Sequence, residues 1–191
     1  MALPLILAVI ASGSPTAMKF RVVTIFTGKR FRVPQCIQRI DHKATHGWQL
    51  RYGGTKLYSD HSNDGSGAAA ALKAAVAELR RRIEKLPAPS GLQKSASSNK
   101  TSELPVGISG PLVRQRPGST LLESNLSVSL PRFGATAQRR TVYIGTENTY
   151  SVERYLAALE RAIEMRRKAE RAYQRDATRA MREASRKLLG A

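Results

Sequence analysis

The sequence predicts an α+β protein built from two tandem units, each a three-stranded antiparallel sheet packed on one helix. Short runs that alternate apolar and polar residues precede a helical pattern, this order occurs twice, and the second helical pattern is the longer. The length of 191 residues suits one or two domains. The predicted segments are an extension at 1–17, a basic β-hairpin at 18–33, a first unit at 34–86, a flexible linker at 87–104 and a second unit at 105–191.

The first two segments are an apolar extension and a basic hairpin. Residues 3–11 are apolar, but no Lys or Arg precedes them and the run is too short to span a bilayer. We therefore interpret 1–17 as a dispensable extension, or the result of a start codon assigned too early, in preference to a secretion signal. Two β-branched and aromatic runs, Phe20–Phe26 and Arg30–Val33, flank a short turn and predict the hairpin.

The first unit opens with three strand patterns, at 35–41, 46–52 and 56–60. In the middle one, apolar and polar side chains alternate strictly in the order Trp48, Gln49, Leu50, Arg51 and Tyr52. Because successive side chains of a strand project to opposite faces, the apolar three are expected to face a core and the polar two to face outward.

A helix is predicted after these strands, from Ala69 to Leu86. Its apolar residues recur at the spacing of one helical face: Leu72, Ala75, Val76, Leu79 and Ile83. The small residues at 68–71 would let the start of this helix approach the sheet closely. The Pro, Gly and Ser content of 87–104 then predicts a flexible linker.

The second unit repeats the order, with strand patterns at 106–109, 126–130 and 141–146 and a polar turn at 137–140. Its helix is expected to begin near Ser151 and to continue to Leu189, with an apolar stripe of Tyr155, Leu156, Leu159 and Ile163. A helix of this length outreaches a three-stranded sheet. Its distal half therefore needs another partner, which we expect to be nucleic acid, a second protomer or the hairpin.

Composition limits the function. The net charge of +18 favours polyanionic partners, and each predicted segment from Met18 onward contributes positive charge. The single cysteine, Cys36, excludes an internal disulfide. The three histidines and Cys36 lack the paired spacing of a zinc site, and no nucleophile elbow or phosphate-binding loop occurs. We therefore predict a protein that is not an enzyme and has no metal or cofactor.

Several short strings resemble a known family. They are 37–41, 47–51, 58–60 and the start of the first helix in one copy, and Arg114-Gln115-Arg116-Pro117-Gly118 and 141–146 in the other. In their order and spacing these strings resemble the plant Apetala-two/ethylene-response-factor DNA-binding domain, and the first copy is closer to its bacterial relatives. The resemblance covers most of 34–171. The second copy departs from the family pattern, because no tryptophan follows Pro117 and the loop 117–124 is longer.

The resemblance implies a three-stranded sheet that lies in the DNA major groove, with side chains of its open face on bases and phosphates. Carried over by position, the contacting residues of the first copy are Arg39, Gln49, Arg51, Lys56 and Tyr58. Those of the second copy are Arg114, Arg116, Arg140 and Tyr143. In the second copy, the middle strand offers only Ser127 and Ser129 outward.

The residue chemistry alone supports the same function. A twisted β-ribbon fits the major groove, where Arg or Lys pairs with guanine and Gln with adenine. Lys43, Arg30 and Arg132 would add phosphate contacts that carry no sequence information. We therefore predict a sequence-selective double-stranded DNA-binding protein, a transcriptional regulator in the cytoplasm at the bacterial nucleoid, with no membrane partner.

Two other functions stay open at this point. The chain could associate with RNA or the ribosome, with its distributed charge supplying the affinity. It could also be an interaction module that forms a homodimer through the C-terminal helix and binds nucleic acid without specificity. Competition between duplex DNA and RNA distinguishes the first alternative, and light scattering the second.

Overall fold

The computed structural model describes residues 18–115 and 117–189. The strands are β1 (Phe20–Thr24), β2 (Arg30–Pro34), β3 (Ile37–His42), β4 (Thr45–Arg51), β5 (Thr55–Ser59), β6 (Ile108–Gln115), β7 (Leu122–Arg132) and β8 (Ala135–Thr146). The helices are α1 (Ala68–Lys85) and α2 (Val152–Leu189). The predicted α+β class is confirmed: two three-stranded antiparallel sheets, each packed on a helix, with a long helix at the C-terminus. The extension 1–17 lies outside the described residues.

The first sheet has the order β3-β4-β5, and α1 covers one of its faces. Trp48 and Leu50 project into the core between them and are fully buried. The indole Nε1 of Trp48 donates a hydrogen bond to the carbonyl oxygen of Ala68, 2.8 Å away. This close approach depends on the small residues at the start of α1, because Ala68 and Ala71 are themselves buried against the sheet.

A two-stranded hairpin, β1 paired with β2, completes the first core. The ring of Phe31 meets that of Trp48 edge-on at 5.6 Å between centroids, and Val33 is fully buried. The hairpin therefore packs on the same side of the sheet as α1. This leaves the opposite face of β3-β4-β5 outside this core.

The second sheet has the order β6-β7-β8, and its strands are longer than the sequence patterns indicated. The predicted turn at 137–140 is wrong, since these residues lie inside β8. The chain turns instead near Gly134, whose φ of 71° is a conformation that glycine adopts without steric strain. The register of β8 could not be inferred from its polar composition alone.

The first half of α2 packs on the second sheet. Leu126 and Val128 face the helix and are fully buried, as predicted. The expectation that Leu156 belongs to the buried stripe is wrong, because this side chain is 52% exposed. The closest packing is made by Ala158 and Ala162, both fully buried. Small side chains let the helix approach the sheet closely, which a leucine at these positions would prevent.

The distal half of α2 packs on the first unit. The helix has 38 residues and is about 57 Å long at 1.5 Å per residue. Ala177, Ala180 and Ala184 are buried, and Ala184 belongs to the core of the first unit. Nε of Arg182 donates to the carbonyl oxygen of Ile83 in α1 at 3.3 Å. The buried side of this half is therefore covered by α1 of the same chain, a partner that was not among the three expected from the sequence.

Residues 87–104 run between the two units along α2. Ala88 donates from its backbone nitrogen to Oγ1 of Thr178 at 3.1 Å, and its carbonyl accepts from Nε2 of Gln174 at 2.6 Å. Farther along, Nζ of Lys100 donates to the carbonyl oxygen of Pro105 at 2.8 Å. The segment thus contacts α2 at one end and the start of the second unit at the other. Within the described residues, neither helix combines the length and apolar composition that crossing a bilayer requires.

Candidate nucleic-acid interface

The face of β3-β4-β5 opposite α1, here called the first open face, carries polar and aliphatic side chains. Strand pairing sets Gln49 opposite both Gln38 and Leu57, and Arg51 opposite Thr55. Residues opposite one another in a sheet project to the same side. By this register, the side chains of the face are Gln38, Ile40, His42, Thr45, Gln49, Arg51, Thr55, Leu57 and Ser59. None of these is a carboxylate.

Arg51 and Gln49 form the polar centre of this face. Nε of Arg51 donates to Oε1 of Gln49 at 2.6 Å, and Arg51 is exposed. The guanidinium retains further donors and the amide retains its NH₂ group, so the pair can still hydrogen-bond to a ligand. Leu57 stands beside them and is 43% exposed, which suits contact with a methyl group. The face can therefore offer donors, acceptors and an apolar contact together.

Gln38 also belongs to this face, although no role was predicted for it from the sequence. It is exposed and lies opposite Gln49 on the neighbouring strand. The one signal available in the sequence was the alternation of Ile37, Gln38 and Arg39. That alternation does not show whether Gln38 or its two neighbours project to the open face. The pairing of β3 with β4 decides this.

The prediction that Arg39 projects from the open face is wrong. Arg39 pairs opposite Trp48 and therefore lies on the side of the sheet that packs on α1. Its side chain is only 6% exposed, and its Nη1 and Nη2 donate to the two carboxylate oxygens of Asp60 at 2.9 and 2.6 Å. The guanidinium carbon also lies 5.0 Å from the ring centroid of Trp48. The Asp60 carboxylate is fully buried and requires a counter-charge, which explains the inward position of Arg39.

Asp41 and His46 extend this ionic cluster toward the surface. Nε of Arg39 donates to Oδ1 of Asp41 at 3.0 Å, and Nδ1 of His46 lies 2.9 Å from the same oxygen. Burial by itself would raise the pKa of Asp41, but the hydrogen bonds from Arg39 and His46 outweigh it and lower the pKa. Asp41 therefore stays ionised and helps to fix Arg39 in place.

The remaining candidate residues of the first copy do not lie on the first open face. Lys56 pairs opposite Leu50 and Tyr58 opposite Trp48, so both lie on the α1 side, and placing them on the reading face was wrong. Nζ of Lys56 lies 5.1 Å from the ring centroid of Tyr58. Lys43 is exposed in the turn between β3 and β4. Of the residues carried over by resemblance in this copy, Gln49 and Arg51 alone share the open face.

The second sheet presents a different open face. Strand pairing sets Ser129 opposite Arg139, Asn125 opposite Tyr143 and Arg114 opposite Glu123, so these six share one side. Arg140 pairs opposite Val128 and projects to the helix side, so placing it on the reading face was wrong. Arg139 takes that position instead. Arg116 lies outside the described residues.

The segment between the units limits access to this second face. Ser127 is only 7% exposed although its side chain points away from α2. Residues 99–102 line one surface cavity together with Ser127, Ser129 and Arg139. The first open face is therefore the better candidate interface.

Glu78 links α1 to the turn that joins β4 and β5. Hydrogen bonds from Arg81 and Arg82 lower the pKa of Glu78 from 4.5 to about 2. Arg82 also donates, through Nη1, to the carbonyl oxygens of Tyr52 at 2.8 Å and Gly54 at 2.9 Å. The ionised carboxylate thus holds a guanidinium that contacts the end of the sheet.

This arrangement predicts a dependence of stability on pH. A carboxyl group with a lowered pKa stabilises the fold above its unfolded pKa of about 4.5, and this contribution disappears as the pH falls toward about 2. We expect the urea midpoint of the native protein to fall more between pH 5 and pH 2 than that of Glu78→Gln. Parallel curves for the two proteins would show that Glu78 makes no such contribution.

Comparison with known proteins assigns no function to this chain. No family model, no curated protein and no solved structure matches this chain. A fold by itself does not specify a function, so the function is inferred from the side chains of the site.

Proposed function

We propose that this chain is a double-stranded DNA-binding protein that reads the major groove with the first open face. The observation that carries the proposal is the grouping of Gln38, Gln49 and Arg51 on neighbouring strands of a carboxylate-free face that α1 leaves uncovered. Glutamine can form two hydrogen bonds with adenine, and arginine can form two with guanine. The role is that of a transcriptional regulator at the bacterial nucleoid, in keeping with the family that the sequence resembles.

Affinity would come mainly from charge outside these three residues. The chain has a net charge of +18, and Lys43 is exposed in the turn at the edge of the face. Lysine and arginine contacts to phosphates position a protein on the duplex without reading its sequence. Binding is therefore expected to weaken steeply as salt increases, because counterions are released from the DNA.

The shape of the face favours DNA over double-stranded RNA. The major groove of B-form DNA is wide enough to admit a β-ribbon, whereas that of A-form RNA is too deep and narrow for side chains to read. A sheet that presents amide and guanidinium groups can therefore reach base edges in DNA only. A duplex RNA of equal length serves as the competitor that separates the two.

The test is the double substitution Gln49→Ala/Arg51→Ala, measured on a preferred duplex first selected from a random pool. We expect the native protein to prefer this duplex over a scrambled one, and the variant to lose this preference. The loss of discrimination is about 1–3 kcal/mol for each two-pronged contact removed, or about fivefold to 150-fold in relative affinity. Affinity for the scrambled duplex should change little.

The matched control is Lys73→Ala/Gln93→Ala, which also removes one cation and one amide, both from exposed positions outside the sheet. This control should retain full discrimination. The proposal fails if the Gln49/Arg51 variant discriminates as well as the native protein. It also fails if duplex RNA displaces the selected DNA more effectively than unlabelled DNA does.

A further inference from the structure

A row of cations lies along the exposed side of α2, from the middle of the helix into the half that packs on the first unit. Between Arg166 and Arg182, five residues of the helix are exposed, and all five are cationic: Arg167, Lys168, Arg171, Arg175 and Arg179. We call this set the basic stripe. A merely solvated helix face would be expected to interleave acidic and basic residues.

The basic stripe faces away from the first unit. At 100° per residue, Lys168, Arg171, Arg175 and Arg179 fall on the side of α2 opposite Ala177, Ala180 and Ala184. These three alanines are buried, and Ala184 reaches the core that also fills the space between α1 and the first sheet. The body of the first unit therefore stands between the basic stripe and the first open face.

The ion pairs of the described residues leave most of the basic stripe without an acidic partner. Arg179 pairs with Asp176 at 2.8 Å, and both side chains are exposed. Glu164 stands four residues before Lys168, and Glu183 four before Lys187, but neither spacing produces an ion pair among the described residues. Arginines four residues apart on a helix repel one another, and this repulsion is relieved when a polyanion binds along the row.

Arg166 shows that the cations of this helix are not all alike. Its side chain is only 10% exposed, its Nε donates to Oε1 of Glu170 at 2.6 Å, and its Nη1 donates to the carbonyl oxygen of Ser129. This arginine ties α2 to β7 and has a structural role. The basic stripe consists of the cations on the other side, which have no such contacts with the sheet.

The chemistry of the basic stripe fits a phosphate backbone. From Arg167 to Arg179 the helix rises about 18 Å, which corresponds to about five base pairs of B-form DNA. Guanidinium groups bind phosphate oxygens with paired hydrogen bonds. The exposed residues of the basic stripe include no apolar side chain, whereas insertion into a lipid surface requires one.

We infer that the basic stripe is a second, sequence-independent binding surface for the phosphate backbone of duplex DNA. One chain could then hold two duplex segments at once, one on the first open face and one along α2. The inference of two simultaneous segments rests on the proposed function, because the first segment is assigned to the sheet. The second surface depends only on the residues of α2 and not on the proposed function of the sheet.

The experiment is a capture assay with the full chain. A duplex is fixed to beads, protein is bound to it, and a fluorescent duplex of unrelated sequence is added. We expect the native protein to retain the fluorescent duplex. The variant Arg171→Gln/Arg175→Gln/Arg179→Gln should still bind the fixed duplex but retain at least fivefold less of the second. Its log affinity for DNA should also depend less steeply on log salt, by about 2.7 for three lost phosphate contacts.

The matched control is Lys73→Gln/Arg80→Gln/Lys85→Gln, which removes three exposed cations from α1. It should capture the second duplex as the native protein does, and light scattering should show that both proteins are monomers under the assay conditions. The inference is overturned if the α2 variant captures normally or if the control loses as much. It is also overturned if the native protein captures nothing or captures only as an oligomer.

The two proposals can fail separately. Loss of capture in the α2 variant, together with unchanged discrimination in the Gln49/Arg51 variant, would keep the basic stripe and reject the sheet as the reader. Normal capture by the α2 variant, together with lost discrimination in the Gln49/Arg51 variant, would support the sheet as the reader and reject the basic stripe.

Discussion

Replacing Arg39 with methionine is expected to destabilise the fold by about 3–5 kcal/mol. The substitution removes both hydrogen bonds to Asp60, whose side chain has no exposure to solvent. A buried carboxylate without a counter-charge must either stay ionised at a high desolvation cost or take up a proton. In both cases the native state loses free energy relative to the unfolded chain.

Urea unfolding followed by the fluorescence of Trp48 measures this loss directly, because the tryptophan lies beside the ion pair. The matched control is Arg51→Met, which removes an exposed arginine from the other face of the same sheet and should change stability by no more than about 0.5 kcal/mol. Equal midpoints for the two variants would contradict the structural role of Arg39.

A second variant separates loss of charge from loss of packing. In Arg39→Met/Asp60→Leu both members of the buried pair become apolar, and replacements of this kind are often neutral or stabilising. We expect the double variant to recover much of the stability that the single variant loses. If it is as unstable as Arg39→Met, the cause lies in packing and not in the unpaired carboxylate.

The substitution Gly67→Ala is expected to destabilise the protein by about 3 kcal/mol, the upper part of the range for overpacking. Gly67 immediately precedes α1, and a Cβ atom there would overlap the backbone carbonyl oxygen of Asp60. A backbone carbonyl cannot rotate away as a side chain can. The loop that carries Asp60 would have to move, and the ion pair with Arg39 would be disturbed with it.

The control for this change is Gly91→Ala, where an added Cβ meets no atom within 4 Å. This variant should be neutral or slightly more stable, since alanine reduces the freedom of the unfolded chain. Thermal unfolding of the two variants under the same conditions makes the comparison. If Gly67→Ala unfolds at the same temperature as Gly91→Ala, the loop that carries Asp60 moves without a loss of stability, and the prediction is wrong.

Local patterns predicted the elements that have a clear periodicity. The alternation from Trp48 to Tyr52 correctly placed the apolar side chains inward, because the faces of a strand alternate whatever the strand pairs with. The spacing of Ala75, Leu79 and Ile83 correctly predicted the buried side of α1, because residues four apart lie on the same side of a helix. These patterns also fixed the α+β class and the long C-terminal helix.

The candidate site was harder to predict, because it depends on how one strand pairs with another. Arg39 and Arg51 looked equivalent in the sequence, yet a shift of one residue in register exchanges the two faces of a strand. The pairing of Arg39 with Trp48, and the buried Asp60 that attracts it, come from segments about ten and twenty residues away. Gln38 was missed for the same reason.

The sequence by itself determined the charge, the order of strands and helices, and the inward side of the elements with a clear periodicity, β4 and α1. Those properties are local, since they follow from side-chain periodicity over one or two turns. The tertiary structure alone decided which cations are buried and which are exposed. That outcome depends on contacts between distant segments: Asp60 draws Arg39 inward, and α1 occupies the alanine side of α2, so that the arginines on its other side remain exposed.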